Sequence, residues 1–223
     1  MSTHLSNEPA SSHVDFQATK NNVLKNTYLL LSMTLLFSGA MAALSMAFNF
    51  PHPGIILTLV GFFGLLFAIS KFQNSSLGIV FVFALTGFMG LTLGPVLNAY
   101  LSLPGGSSIV MNALGATGAI FLGLSAYVVT TKKDFSFMGG FLAVGILVGF
   151  LAGLGAFVFE MQALSLAVSA MFVLLMSGLI LYQTSEIVNS GETNYVMATT
   201  TLFVSIFNLF TSLLHLLGFA SQD

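Results

Sequence analysis

The chain has 223 residues, of which 56% are hydrophobic and 5% charged, with a mean hydropathy of +0.98 and a formal net charge of −2. A soluble domain carries about 25% charged residues, so that class is excluded, and no basic face exists for nucleic acid. Zero cysteines remove disulfides, thiolate catalysis and cysteine-based metal sites.

The chain opens on a polar stretch rich in Ser, Thr, Asn, Glu and Lys, without the apolar core and cleavage site of a signal peptide. Residues 1–25 are expected to be a flexible polar tail, and 26–223 one membrane domain. Seven apolar runs follow, near 27–48, 54–70, 77–101, 108–130, 136–159, 163–188 and 195–218. Each is long enough to cross a hydrocarbon core of about 30 Å as a helix. The fold class is all-α, a polytopic bundle of seven transmembrane helices in contact with membrane lipid.

Between the first and second spans, Pro51-His52-Pro53-Gly54 cannot continue a helix, because proline lacks an N–H and biases its predecessor toward extended geometry. His52 reads as a solvated turn residue. The third span carries Gly90 and Gly94, followed by Pro95. Proline there leaves the carbonyl of Leu91 without its helical donor, so a kink or break is expected around Gly94, Pro95 and Asn98. Two readings stand: a structural kink, or one that shapes a gate.

Leu103-Pro104-Gly105-Gly106 breaks the chain again, and Ser107 and Ser108 are suited to capping the fourth helix. The fourth span repeats small residues at Gly115, Ala119 and Gly123, and the fifth at Gly145, Gly149 and Gly153. Small residues four apart let backbones approach in lipid, for packing within the chain or for a homodimer seam. Gln183, Thr184, Ser185 and Glu186 end the sixth span, and Ser205, Asn208 and His215 lie in the seventh. Gln183, Glu186, Ser205 and Asn208 form a candidate polar pathway or packing site, in which uncharged groups point inward at one another. Glu160, Glu186 and His215 lie near span ends, where they reach interfacial water. Catalysis has no support: there is no two-histidine zinc motif, no Ser/His/Asp set and no nucleotide-binding glycine loop. No cofactor or metal is expected.

All five basic residues are lysines, and they occupy alternate gaps: Lys20 and Lys25 before the first span, Lys71 after the second, Lys132 and Lys133 after the fourth. The positive-inside rule therefore places the N-terminus in the cytoplasm and, with seven spans, the C-terminus outside.

Several segments carry a resemblance. Thr86-Gly87-Phe88-Met89-Gly90-Leu91-Thr92-Leu93-Gly94-Pro95-Val96-Leu97-Asn98 resembles the motif of the transmembrane Bax inhibitor family, closest to its bacterial YccA-like branch. Asn26-Thr27-Tyr28, Pro53-Gly54-Ile55-Ile56, Ser125-Ala126-Tyr127, Gly191-Glu192-Thr193-Asn194-Tyr195 and the closing Leu217-Gly218-Phe219-Ala220-Ser221 agree in order and spacing. The resemblance implies a bacterial inner-membrane bundle whose last helix is wrapped by the other six. It also implies two functions: a non-enzymatic modulator of the membrane protease FtsH, or a leak channel for calcium or protons. The channel members gate through aspartates on the sixth and seventh helices. Here those positions align with Gln183 and Ser205, which do not titrate near neutral pH, and Glu186 lies on roughly the same face as Gln183. The modulator reading leads.

Overall fold

A backbone in hydrocarbon must pair its polar groups within its own segment, and in runs this apolar only helices do so. The computed structural model describes residues 10–190 and 194–221, with side chains over 21–189 and 194–221, and every regular element among them is helical. The helices are α1 (Ala10–Ala47), α2 (Ile55–Phe72), α3 (Ser76–Leu101), α4 (Gly106–Thr131), α5 (Gly139–Val158), α6 (Gln162–Ser185) and α7 (Tyr195–Ala220). A 3₁₀ turn, Ser136–Met138, leads into α5, and a π turn, Glu186–Ser190, prolongs α6. All seven helices contain a stretch long and apolar enough to cross a membrane, so the chain is a polytopic all-α membrane protein. α1 begins at Ala10, so residues 10–25 of the expected tail extend the first helix; residues 1–9 lie outside the described residues.

Local chemistry sets the helix ends. Gly54 takes φ 83°, and its N–H donates to His52 Nδ1 at 3.0 Å, so His52 braces the turn from an exposed position. Before α4 the left-handed residue is Gly105, φ 71°, and Ser107 and Ser108 fall inside the first turn without capping it. Their expected role passes to a glycine, because the reversal needs a backbone conformation that L side chains rarely adopt. Asn194 caps α7, its Oδ1 accepting from the N–H groups of Val196 and Met197 at 3.1 and 3.0 Å.

α7 lies at the centre. Half of its span is buried, against 6% of α2, and it packs on α1, α2, α3, α4 and α6. α5 stacks on α6, at the periphery of the packing around α7, so five helices rather than six do most of the enclosing. The arrangement inverts that of a soluble bundle. α2 and α5 turn Ile56, Phe67, Phe141 and Val144 outward, while α7 carries Ala198, Thr199, Thr200 and Ser205 into the interior. Small side chains let five neighbours crowd one helix, and apolar ones have no reason to leave lipid.

The most extensive pairing joins α1 to α3. A Cβ on Gly90 would collide with the Ser38 carbonyl oxygen, and one on Gly94 with the Ser45 hydroxyl. On α5, Gly145 and Gly149 face Leu175 and Met171 of α6, at 2.6 and 2.8 Å from a hypothetical Cβ, and Gly153 faces Val168. These glycines thus meet a helix of their own chain. On α4, Gly115 and Gly123 look into open space, and Ala119 between them is exposed.

This contrast yields a measurable difference. In detergent, Gly90→Ala should lower unfolding free energy by about 1–3 kcal/mol, because the clash is with backbone that cannot rotate away. Gly115→Ala should leave it unchanged or raise it by less than about 1 kcal/mol, through better helix propensity.

Candidate functional site

At Pro95 the helix does not break. α3 continues to Leu101 because the carbonyl left over at Leu91 accepts a hydrogen bond from Ser45 Oγ of α1, at 2.8 Å. Gly94 provides the room for that approach, and Ser45 is fully buried. One turn on, Asn98 Nδ2 reaches the Met46 carbonyl and Asn49 Oδ1, both at 3.4 Å, where α1 ends. Gly94, Pro95 and Asn98 thus form one docking face for α1.

The candidate polar group on α6 and α7 divides. Gln183 is buried, and Glu186 is half-buried at the start of the π turn. Ser205 and Asn208 do not bond to each other or across to α6. Ser205 Oγ donates to the Thr201 carbonyl at 2.7 Å and Asn208 Nδ2 to the Val204 carbonyl at 2.8 Å. The expected inward pairing is replaced by bonds within α7, because a carbonyl one turn back on the same helix competes for the side-chain donor.

The strongest polar clasp lies at the lysine-bearing end. Ser185 Oγ accepts from the Phe135 N–H at 2.8 Å, and Asn189 Nδ2 donates to the Lys133 carbonyl at 2.9 Å, so the α4–α5 loop is tied to the end of α6. The Asp134 carboxylate accepts from the Ser136 N–H at 2.8 Å. That bond first, then the Ser136 hydroxyl, hold Asp134 below its ordinary pKa against an opposing effect of burial, with a lesser lowering from the Ser185 hydroxyl. The carboxylate's contribution to the loop is therefore complete above the ordinary value and is lost as pH falls through the lowered one. Across the same end, Asn194 Nδ2 donates to Asn74 Oδ1 at 2.9 Å and to the Gln73 carbonyl at 3.3 Å, tying the α2–α3 turn to α7.

At the opposite end Glu160 is exposed, in the left-handed turn between α5 and α6. His215 is half-buried and hydrogen-bonded through Nδ1 to Ser169 Oγ of α6 at 2.7 Å, so a neighbouring helix supplies the partner expected from interfacial water. An apolar cavity of about 450 Å³ opens between α1 and α4, with Phe203, Phe207 and Phe210 of α7 at its back and Thr117 and Phe121 on one wall. Among the described residues no cluster of His, Asp or Glu could hold a metal ion.

Sequence reading missed Ser45, the Ser185–Asn189 clasp and the π turn. The freed Leu91 carbonyl announced that a donor was needed, yet Ser45 lies 46 residues away and carries no local mark.

Comparison with known proteins gives a consistent answer. The family model described as inhibitor of apoptosis-promoting Bax1 matches residues 20–222. The protein named modulator of FtsH protease YccA, of Escherichia coli, is 51% identical over 203 residues, covering 91% of this chain and 92% of the relative. An uncharacterized Pseudomonas aeruginosa protein is 51% identical over 213 residues, 96% of each chain. An uncharacterized membrane protein of Vibrio cholerae is 46% identical over 204 residues, 91% of this chain and 92% of the relative.

The Ser45–Leu91 bond can be tested by a double-mutant cycle. Ser45→Ala should cost about 1–3 kcal/mol of unfolding free energy by leaving a buried carbonyl unpaired. In a Pro95→Ala background the restored N–H takes over that carbonyl, and the cost of Ser45→Ala should shrink by about 0.5–3 kcal/mol.

Proposed function

The chain belongs to the Bax inhibitor family, and on that premise we propose that it is a non-enzymatic modulator of an FtsH-type protease, acting in membrane-protein quality control. The observation that carries the proposal is the 51% identity, over 91% of the chain, to a protein named modulator of FtsH protease. The physical argument concerns extraction. A processive protease pulls on a polar segment, and residues 1–25 are polar. The membrane domain behind that segment is held by the α1–α3 glycine seam, by Ser45 on Leu91 and by the Asn194 clasp. A substrate easy to engage and hard to unravel occupies the enzyme and restrains its attack on others. The setting is the bacterial inner membrane, a relative bearing the name inner membrane protein YccA. The N-terminus faces the cytoplasm and the C-terminus the outside. A lysine-bearing end formed by the start of α1, the end of α2 and the end of α4 supports this orientation.

Removing residues 2–19 should slow turnover of the protein and change the lifetime of other protease substrates when the truncated form is overproduced. Pulse-chase in cells reads both, and unchanged turnover with no protease co-purifying in mild detergent would sink the proposal. Orientation is read by reporter fusions. Those after Lys71 and Lys133 should report cytoplasm, and those within 102–107 and at Asp223 the outer side; a cytoplasmic report at Asp223 would reverse the assignment.

A further inference from the structure

Helices α1 and α4 both pack on α7 but scarcely on each other. The gap between them is the apolar cavity of about 450 Å³, with Leu93 and Leu97 of α3 on its floor beside the phenylalanines of α7. Its walls run from Leu35 to Met46 on α1 and from Phe121 to Val110 on α4. Each wall is therefore about 16 Å long at the helical rise, and the gap is a slot parallel to the helices. The contact between the Tyr28 and Phe121 rings, centroids 6.0 Å apart, lies at its inner end.

The slot faces the bilayer. Gly39, Ala43 and Leu114 on its rim are exposed. Leu36 and Met111 beside the rim are 77% and 71% exposed, so the lipid-facing surface of the bundle continues to both edges. Gly39 and Gly118 have nothing within 4 Å of where a Cβ would stand, which keeps the slot open. Its side chains are apolar except Ser38 and Thr117, and the Thr117 hydroxyl donates to the Ala113 carbonyl of its own helix at 2.7 Å.

These features fit one kind of occupant. Water finds too few polar partners there, and an empty slot would forfeit dispersion contacts along every wall. The length matches the hydrocarbon of one leaflet, half of about 30 Å. A partner's transmembrane helix, about 10 Å across, would need more than ~1,000 Å³ over that length and does not fit. Beside Met46 at the outer end, Asn98 Nδ2 donates to the Met46 carbonyl and to Asn49 Oδ1, both at 3.4 Å, so polar groups stand where the apolar walls stop.

We propose that this slot binds one acyl chain of a membrane phospholipid, its tail toward Tyr28 and Phe121 and its ester end beside Asn98 and Asn49. The lipid belongs to the leaflet opposite the lysines, since Met46 lies at the far end of α1 from Lys25. The acyl chain fills the space that α1 and α4 leave between them and lies against Phe207 and Phe210. Through it the central helix meets lipid inside the bundle. The gain on binding is packing, because a tail leaving bulk hydrocarbon gains no hydrophobic free energy.

The protein has no tryptophan, so a single introduced indole, excited where tyrosine does not absorb, reports without background. The probe is a phosphatidylcholine brominated midway along its tails, because bromine quenches an indole that it touches. Single copies of the full-length protein are placed in nanodiscs of this lipid or of its unbrominated parent. Phe210 is only 6% exposed, yet Phe210→Trp should lose as much fluorescence as Phe63→Trp, half-exposed on α2 at a similar distance from the same end. Adding Gly39→Leu and Gly118→Leu puts side chains into the slot, and should cut the loss at Phe210→Trp by half or more while leaving Phe63→Trp unchanged. Phe207→Trp, one turn away on the same floor, gives the same reading independently of how well Phe210→Trp folds. Quenching at neither position, or quenching that the two leucines leave unchanged, overturns the proposal. So does quenching that falls in proteoliposomes as the protein-to-lipid ratio rises, because a second copy of the chain would then hold the slot.

Discussion

Hydrocarbon offers no hydrogen bond to a backbone group that its helix leaves unpaired, and the packing of this bundle depends on how that constraint is met at one residue. Pro95 takes a donor from the Leu91 carbonyl, and Ser45 of α1 replaces it. The replacement is possible only where two backbones nearly touch, and Gly90 and Gly94 create that contact. The proline that would have weakened an isolated helix thereby fixes the register of α1 on α3. Beside that pair α7 packs on both α1 and α3, and its Phe203, Leu202 and Leu209 have almost no exposed surface.

The distribution of polarity follows from the same solvent. A soluble bundle hides its apolar faces; here large apolar residues of α2 and α5 stay in lipid, and threonines and serines go inside. Several of those hydroxyls need no partner on another helix, because a carbonyl one turn back accepts them, as for Thr117, Thr200 and Ser205. The ones that reach between elements sit at structural joints: Ser45 at the proline, Ser185 at the α4–α5 loop, Thr199 between α7 and α1, Ser169 between α6 and α7. Cohesion at the lysine-bearing end comes largely from asparagine and serine bonds to loop backbone, which hold against solvent-facing motion without relying on charge.

That construction bears on the family role. Members of the Bax inhibitor family share a membrane domain, and in this chain it is tied at both helix–helix seams and loop ends. Gln183 and Ser205 carry no charge, and Ser205 is occupied within its own helix. What remains for interaction with a partner are the polar N-terminal residues, the lysine-bearing face and the lipid-facing surface, including the open small-residue face of α4 at Gly115 and Gly123. The proposed modulator role calls for surfaces of that kind more than for a reactive centre.

The seven helices, and most of their ends apart from the start of α1 and the π turn after α6, were legible in the sequence, because hydropathy over some twenty residues and the proline and glycine breakers are local quantities that the bilayer reads directly. The resemblance to the family rested on local strings as well, above all the run through Gly94, Pro95 and Asn98. The identity of partners was not legible. That Leu91 needed a donor followed from covalent chemistry, but its source in Ser45 depends on two helices meeting at one depth and rotation. Ser205 and Asn208 shared a face as spacing required, yet whether they bonded across the bundle or along their own helix turned on competition between a near carbonyl and a distant side chain. Nor could periodicity tell that the glycines of α5 would meet α6 while those of α4 would face outward. The sequence by itself determined which segments cross the membrane, since transfer of a helix into lipid is a property of that segment alone. Only the tertiary structure decided which polar atoms meet, since a hydrogen bond depends on ångström-scale positions that many residues set together.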